Sequence, residues 1–147
     1  MESRMSIDNA EPRIYKAMAE ADRVVAASDL DPKLRELVKV RVSQINGCGY
    51  CINYHTKEAR KLGETERRLY ALSAWWETPF FTDEERTVLK FTDQVTMISN
   101  GGVSDDAFNG ALEFLGEKKI AQLVFIICTT GSWNRIAIST HMVAEND

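Results

Sequence analysis

Apolar residues along the chain mostly recur at intervals of three and four positions, which is the period of an amphipathic α-helix. The strict alternation typical of strands is scarce. The first predicted helix runs from about Glu11 to Ala27, and Pro12 is tolerated because it lies in the first turn. We expect the buried side of this helix to carry Ile14, Met18 and either Ala21 or Val25.

A pair of helices joined by a tight turn is predicted next. Asp31 has the properties of an N-cap, and Pro32 suits the first helical position. This helix ends at Asn46-Gly47, and the following helix runs from about Cys48 to Leu62. Three valines of the first of these helices alternate as in a strand, but the length and the cap favour a helix; they are Val38, Val40 and Val42.

The remaining sequence also indicates helices. Thr82, with Glu85 three residues later, forms a capping box at a helix start, and Ser104 is a further N-cap candidate. Gly116 separates the last two predicted helices. The expected elements are an aromatic segment from Tyr70 to Phe81 and helices from about Thr82 to Ser99, Asp105 to Leu115, and Glu117 to His141.

Length and composition suit a single hydrophobic core. The chain has 147 residues, of which 44% are hydrophobic and 27% charged, and it shows no internal repeat and no long linker. The sequence therefore predicts an all-α, single-domain bundle of about six to seven helices that spans residues 1–147, with its core between about residues 12 and 141.

Charge and hydropathy exclude several classes of partner. The net charge is -4 and the basic residues are scattered, whereas nucleic-acid binders usually present a basic face. The longest unbroken apolar run, Leu123–Cys128, is far shorter than the ~20 residues of a membrane-spanning helix. The first ten residues are polar and do not resemble a signal peptide. We therefore expect a cytoplasmic protein that binds neither nucleic acid nor membrane.

The most informative motif contains Cys48, Cys51 and His55, spaced three and four residues apart. On a helix these side chains share one face, and the two sulfurs are close enough to alternate between dithiol and disulfide. A free thiol titrates near pH ~8.5, so fast chemistry at neutral pH needs a group that favours the thiolate. The helix N-terminus would favour it at Cys48, and His55 could take the proton of Cys51. Spacing alone leaves open which sulfur attacks first.

The helix before the cysteines offers an acid that could orient the histidine. Glu36 lies twelve residues before Cys48, and an antiparallel hairpin could bring it towards His55. The three side chains would then form a relay of cysteine, histidine and glutamate. Lys39 and Arg41 are nearby alternatives, and the sequence does not rank the three.

Zinc binding is the main alternative use of the motif, because Cys48, Cys51 and His55 are all plausible ligands. A structural site needs a fourth ligand, and the chain offers only Cys128 and His141 besides acidic residues. We expect Cys128 to be a buried small apolar residue and His141 to lie at the surface near a helix C-terminus. A non-enzymatic oligomer that uses its cysteines as a metal clip or redox sensor remains a further alternative.

Glu36, Cys48, Cys51 and His55 reproduce a spacing that resembles the alkylhydroperoxidase AhpD-like branch of the carboxymuconolactone decarboxylase family. The resemblance extends over roughly Pro12 to His141. It includes the stretches Ile45-Asn46-Gly47-Cys48, Tyr50-Cys51, His55-Thr56-Lys57-Glu58-Ala59-Arg60, Glu64-Thr65-Glu66-Arg67-Arg68-Leu69, Glu77-Thr78-Pro79-Phe80-Phe81-Thr82 and Asn134-Arg135.

The resemblance implies an all-helical homo-oligomer, a trimer or hexamer, that reduces an organic hydroperoxide without metal, haem or flavin. It implies that Cys51 attacks the peroxide, that Cys48 resolves the resulting sulfenic acid, and that His55 and Glu36 move protons. A dithiol donor, such as a lipoylated or thioredoxin-like protein, would then reduce the disulfide.

One position departs from the founding peroxidases of this branch, which carry a histidine between the cysteines where this sequence has Tyr50. A phenol is a poor proton acceptor at neutral pH, so the departure bears on the strength of peroxide reduction and on the choice of donor. A dithiol-disulfide oxidoreductase with weak peroxidase activity is therefore the alternative enzyme. Decarboxylation is a weaker hypothesis, because the decarboxylase branch lacks the cysteine pair.

Two further groups of residues have alternative interpretations. The aromatic side chains Trp75, Trp76, Phe80 and Phe81 are expected to pack in the core or at an oligomer contact, or to form an apolar wall for the hydroperoxide. Asn134 and Arg135 lie between apolar residues and are expected to form either a buried polar network or an interface pair.

Overall fold

A computed structural model describes residues 2–144, and over this range the chain is all-α, as the sequence predicts. It forms one bundle of helices without strands in the described range. The elements are α1 (Ile7–Ala10), α2 (Pro12–Ala26), α3 (Pro32–Asn46), α4 (Gly49–Lys61), α5 (Glu66–Ala71), a 3₁₀-helix (Leu72–Glu77), α6 (Asp83–Thr96) and α7 (Asp105–Thr140).

The predicted helix starts are confirmed by their capping bonds. The Asp31 carboxylate accepts hydrogen bonds from the backbone N–H groups of Lys33 and Leu34, each at 3.0 Å. Thr82 and Glu85 form the reciprocal capping box of α6. Gly116 is the predicted break in the C-terminal region, because its φ of 72° and ψ of 165° interrupt the helical path inside α7. Only glycine adopts such a backbone conformation at low cost.

Helix α3 lies at the centre of the bundle, where it contacts α4, α6, α7 and the 3₁₀-helix. Val38 and Val42 pack in a core cluster with residues of α6 and α7, whereas Val40 packs in a second cluster with Leu72 and Leu89. Burial on both sides explains the strand-like alternation of the valines, because most of α3 is covered and it lacks the exposed face that would reveal a helical period. Glu36 and Lys39 are thus carried by the central helix of the bundle.

The aromatic segment packs mainly in the second core cluster. Trp75 and Phe81 are buried, and the Trp75 indole donates a hydrogen bond to Asp93 Oδ2 at 3.1 Å. Trp76 is instead 48% exposed. The packing interpretation is confirmed for Trp75 and Phe81.

Two predicted burials are wrong. Ile14 is 45% exposed, because α2 packs against the core through Val25 near its C-terminal end. Cys128 is also exposed. Cys128 belongs to a run of six consecutive apolar residues, and such a run covers all sides of a helix. Some residues of the run must therefore point outward, as Val124 and Phe125 also do. Among the helices that the structure describes, none is long and apolar enough to cross a membrane.

Candidate active site

The turn between α3 and α4 places Cys48 at the start of a helix. Gly47 ends α3 in the left-handed conformation, with φ of 72°, and the Cys48 N–H donates to the Ser43 carbonyl at 2.9 Å. Cys48 is the N-cap of α4, and its sulfur accepts a hydrogen bond from the Cys51 N–H at 3.3 Å. The helix N-terminus thus favours negative charge on Cys48.

Cys48 and Cys51 are joined by a disulfide, with their Cα atoms 5.3 Å apart. Both residues are buried, with exposures of 1% for Cys48 and 4% for Cys51. They pack against Ala137 of α7 and against Tyr50 and Met142, which are partly buried. The pair can therefore adopt its oxidised state without unfolding the helix start.

The antiparallel pair α3 and α4 brings Glu36 to His55, as the hairpin argument anticipates. Glu36 Oε2 lies 2.9 Å from His55 Nδ1, and Glu36 Oε1 accepts a hydrogen bond from Lys39 Nζ at 2.8 Å. The His55 and Glu36 side chains are only 14% and 8% exposed. Arg41 is not part of this group, because its guanidinium donates two hydrogen bonds to the Asp93 carboxylate, at 2.7 and 2.9 Å.

The surroundings of Glu36 keep its carboxylate ionised at neutral pH. Burial raises the pKa of Glu36, but hydrogen bonds and positive charge from His55 and Lys39 outweigh burial, and the pKa lies below its ordinary value. An ionised Glu36 accepts the proton on His55 Nδ1. When the imidazole is neutral, a proton on Nδ1 leaves His55 Nε2 with a lone pair that can take a proton.

We expect Glu36 to contribute to acid unfolding. Because its folded-state pKa is lowered, its stabilising contribution is complete above the unperturbed pKa of about 4.3 and is lost as pH falls through the folded-state value. The difference in unfolding free energy between wild type and Glu36→Gln should therefore be largest near neutral pH and shrink towards pH of about 3. Urea unfolding across this range measures it, with Glu113→Gln at an exposed position as control. A difference that stays constant with pH would contradict the assignment.

A cavity of about 480 Å³ opens beside the cysteines, between α2, α3, α4 and α7. Its described lining includes Cys51, His55, Glu36 and Lys39, whereas Cys48 is not among the lining residues. A molecule in this cavity would thus meet the sulfur of Cys51 before that of Cys48. The cavity gives the two cysteines different surroundings, which their spacing alone does not reveal.

Part of the cavity wall was not anticipated from the sequence. Tyr15 of α2 and Trp133 of α7 line it, and their ring centroids are 6.0 Å apart in an edge-to-face contact. The aromatic residues expected to form an apolar wall, Trp75, Trp76, Phe80 and Phe81, do not line this cavity. The only sequence feature that draws attention to Trp133 is its position directly before the polar pair Asn134-Arg135.

Asn134 anchors the turn that carries the cysteines. It is fully buried; its side-chain amide donates to Ser43 Oγ at 3.0 Å, and its carbonyl accepts from Asn46 Nδ2 at 2.9 Å. These bonds tie the last turn of α3 to α7, directly before Cys48. The buried polar network is therefore confirmed for Asn134, whereas Arg135 is exposed and donates to the Gly131 carbonyl.

Asn134→Leu should destabilise the protein by about 1–3 kcal/mol, because it leaves buried polar groups of Ser43 and Asn46 without their partner. Arg135→Leu is the matched control, since surface substitutions usually change stability by about 0.5 kcal/mol or less. Urea denaturation gives both values. Equal stabilities of the two variants would show that the network does not hold the turn.

Clusters that could bind a metal are not found among residues 2–144, where no group of three or more His, Cys, Asp or Glu side chains is suitably arranged. The polar residues that line the cavity include Cys51, His55, Glu36 and Lys39.

Comparisons with known proteins agree with this fold and motif. The family model described as "Carboxymuconolactone decarboxylase family" matches residues 12–94. The uncharacterized protein YdfG of Bacillus subtilis (strain 168) is 40% identical over 139 residues, which cover 95% of this chain and 95% of YdfG.

Two solved structures share the fold. ATU0492 of Agrobacterium tumefaciens, a protein of unknown function named for an antioxidant defence role of the AhpD type, superposes with a TM-score of 0.97 at 32% identity. The match covers 99% of this chain and 100% of that one. An alkylhydroperoxidase AhpD core protein from Ralstonia eutropha JMP134, described as peroxidase-related, has a TM-score of 0.82 at 20% identity, with coverages of 95% and 74%. The chain therefore belongs to the carboxymuconolactone decarboxylase family, as an AhpD-like member.

Proposed function

We propose that this protein is a cysteine-based reductase of organic hydroperoxides. The observation that carries the proposal is that Cys51 lines a cavity together with the His55–Glu36 pair, while Cys48 is bonded to Cys51 but lies outside the cavity lining. In this proposal Cys51 reacts with the substrate, and Cys48 resolves the sulfenic acid that forms on Cys51.

The reaction runs in two steps that transfer two electrons from the dithiol to the peroxide. In the first, the Cys51 thiolate attacks the terminal peroxide oxygen, the O–O bond breaks, and the products are a Cys51 sulfenic acid and an alcohol. In the second, the Cys48 thiolate attacks the Cys51 sulfur, the S–O bond breaks, and the leaving hydroxide takes a proton from solvent to become water. The product is the disulfide between the two cysteines, the state in which the pair is bonded here.

His55 supplies and removes the protons of the first step. With Nδ1 held by Glu36, Nε2 takes the proton of the Cys51 thiol and returns it to the departing alkoxide. Glu36 fixes the ring and its tautomer, and Lys39 holds the second oxygen of Glu36. For Cys48, the N-terminus of α4 favours the thiolate without a separate base.

The cycle needs a dithiol donor, for which a lipoylated or thioredoxin-like protein is the proposed partner. The proposed assembly is a homo-oligomer, a trimer or hexamer. It is supported by large apolar side chains exposed along α7, namely Val124, Phe125 and Ile138. A cytoplasmic location suits the proposal, because thiols are kept reduced there.

A second candidate function is a dithiol-disulfide oxidoreductase. It is favoured by Tyr50, which lies between the two cysteines in the sequence and lines the cavity, because a phenol is a poor proton acceptor for peroxide reduction. The two functions share the cysteine pair but differ in the oxidant. The test is to mix the reduced protein with an organic hydroperoxide or with a small-molecule disulfide and to follow loss of the two thiols.

If the protein is a hydroperoxide reductase, we expect the hydroperoxide to oxidise the two thiols at least about tenfold faster than the disulfide does at equal concentration. The reverse order would support the oxidoreductase. Metal analysis of protein purified without chelator is the accompanying control. Stoichiometric zinc on Cys48, Cys51 and His55 would contradict both enzymatic functions.

A further inference from the structure

The cavity is much larger than the reacting groups require. Its volume of about 480 Å³ lies within the range of small-molecule sites, and apolar and aromatic side chains make up about half of its wall beyond Cys51 and His55. Four aromatic side chains contribute to the lining: Tyr15, Tyr50, Tyr54 and Trp133. The wall is thus suited to the organic group of a substrate rather than to the peroxide oxygens alone.

Helix α2 presents one face to this wall and fixes the orientation of Trp133. Asp22 accepts hydrogen bonds from the Trp133 indole N–H at both carboxylate oxygens, at 3.0 and 3.1 Å. Tyr15 lies two turns earlier on the same face and contacts the Trp133 ring edge-to-face. The first half of α2 buries no residue, and Tyr15 remains 44% exposed. The two rings are therefore held in place while part of their surface stays open.

Both cationic side chains of the cavity lining, Lys39 and Arg35, already make hydrogen bonds, although Arg35 Nε has no partner among the residues that the structure describes. Lys39 is paired with Glu36. Arg35 donates through Nη1 to the carbonyl of Ala26, at 3.2 Å. A substrate carboxylate would compete with these bonds and would meet the negative charges of Glu36 and Asp22 in the same lining. The electrostatics therefore disfavour an acidic organic group.

We propose that the cavity selects neutral aromatic hydroperoxides, with Trp133 and Tyr15 as the specificity-determining residues. The inference rests on the proposed function and names its substrate class. The substrate ring packs against the Trp133–Tyr15 pair, which places the peroxide at Cys51. The chemistry is unchanged: the aromatic hydroperoxide gives the aromatic alcohol, and its terminal oxygen passes to Cys51 and then to water. Aromatic pairs add stabilisation beyond the area they bury, which makes the ring the recognised feature.

The kinetic test uses cumene hydroperoxide and tert-butyl hydroperoxide, which differ by a phenyl group in place of one methyl group. Wild type should show kcat/KM about tenfold higher for cumene hydroperoxide, and Trp133→Leu should lose about fivefold to tenfold of this preference. Tyr15→Leu should lose part of it without affecting the core, since Tyr15 is exposed. Trp76→Leu, which replaces an exposed tryptophan outside the cavity, should keep it. Equal preferences in all four proteins would overturn the inference and leave the proposed function intact.

A binding test does not depend on turnover. The disulfide form of wild type is titrated with 2-phenyl-2-propanol, with tert-butanol and with the para-carboxylate of the phenyl alcohol. The heat of binding is followed by isothermal titration calorimetry, because this readout does not depend on Trp133. The phenyl alcohol should bind at least about fivefold more tightly than either of the others, and Trp133→Leu should abolish the difference. Equal binding of the three alcohols would overturn the inference. If neither hydroperoxide oxidises Cys51, the proposed function fails, and this titration still decides whether the ring site exists.

Discussion

Cys51→Ser is expected to abolish hydroperoxide reduction, whereas Cys48→Ser should react once and stop. In the first variant the cavity lining no longer contains a thiol, because Cys48 is not among its lining residues. In the second, Cys51 still attacks, but the sulfenic acid has no resolving thiol and accumulates. We therefore expect turnover of Cys51→Ser to fall to the level of free thiols in solution, and Cys48→Ser to consume about one peroxide per chain.

Peroxide consumption in the presence of dithiothreitol measures turnover, and a single-turnover assay without the reductant measures the stoichiometry. Cys128→Ser is the matched control, because Cys128 is the other cysteine of the chain and is exposed on α7. It should retain full activity. Undiminished turnover in Cys51→Ser would contradict the assignment of the attacking sulfur. A Cys48→Ser variant whose Cys51 sulfenic acid did not accumulate in the assay without added thiol would remove Cys48 from the resolving role.

The second large effect is expected at the proton-transfer pair. His55→Asn should slow oxidation of the reduced cysteines by about 10²–10³-fold at neutral pH, which is the usual contribution of a positioned acid-base group. Glu36→Gln should slow it by about 10-fold or more. The neutral amide has only one acceptor oxygen, so its N–H₂ must face either His55 Nδ1 or Lys39 Nζ. Both of these groups donate to Glu36, and one of the two hydrogen bonds is therefore lost.

Rapid mixing of reduced protein with a hydroperoxide, followed by acid quench and thiol counting, gives these rates. Glu58→Gln is the control, because Glu58 lines the same cavity but pairs with Lys61. Glu58→Gln removes one negative charge from the cavity, as Glu36→Gln does, but leaves the contact between Glu36 and His55 unchanged. If Glu58→Gln and Glu36→Gln had equal effects, the cavity potential and not the contact to His55 would be responsible.

Much of the fold and the motif follows from local sequence signals. Asp31, Thr82 and Gly116 act within one or two turns of the chain, so their caps and breaks can be predicted from neighbouring residues alone. The approach of Glu36 to His55 is nearly local as well, since a tight turn at Gly47 forces two consecutive helices to run antiparallel. The choice among Glu36, Lys39 and Arg41 needed the structure, because it depends on Asp93 of α6 drawing Arg41 away.

The rest of the site depends on contacts between distant parts of the chain. Tyr15 and Trp133 meet only because α2 and α7 pack together, and no periodicity in either helix indicates the partner. The same reason explains the errors at Ile14 and Cys128. An apolar residue shows that a helix has an apolar face, but tertiary packing decides which part of that face is covered.

The most direct test of the proposed function is mass spectrometry of the cysteine peptide after one equivalent of an organic hydroperoxide is added to reduced protein. We expect a Cys48–Cys51 disulfide in wild type. In Cys48→Ser, we expect a single added oxygen, located on Cys51 and trapped there by dimedone. An added oxygen on Cys48 in Cys51→Ser, or cysteines that stay reduced in excess hydroperoxide, would contradict the proposed function.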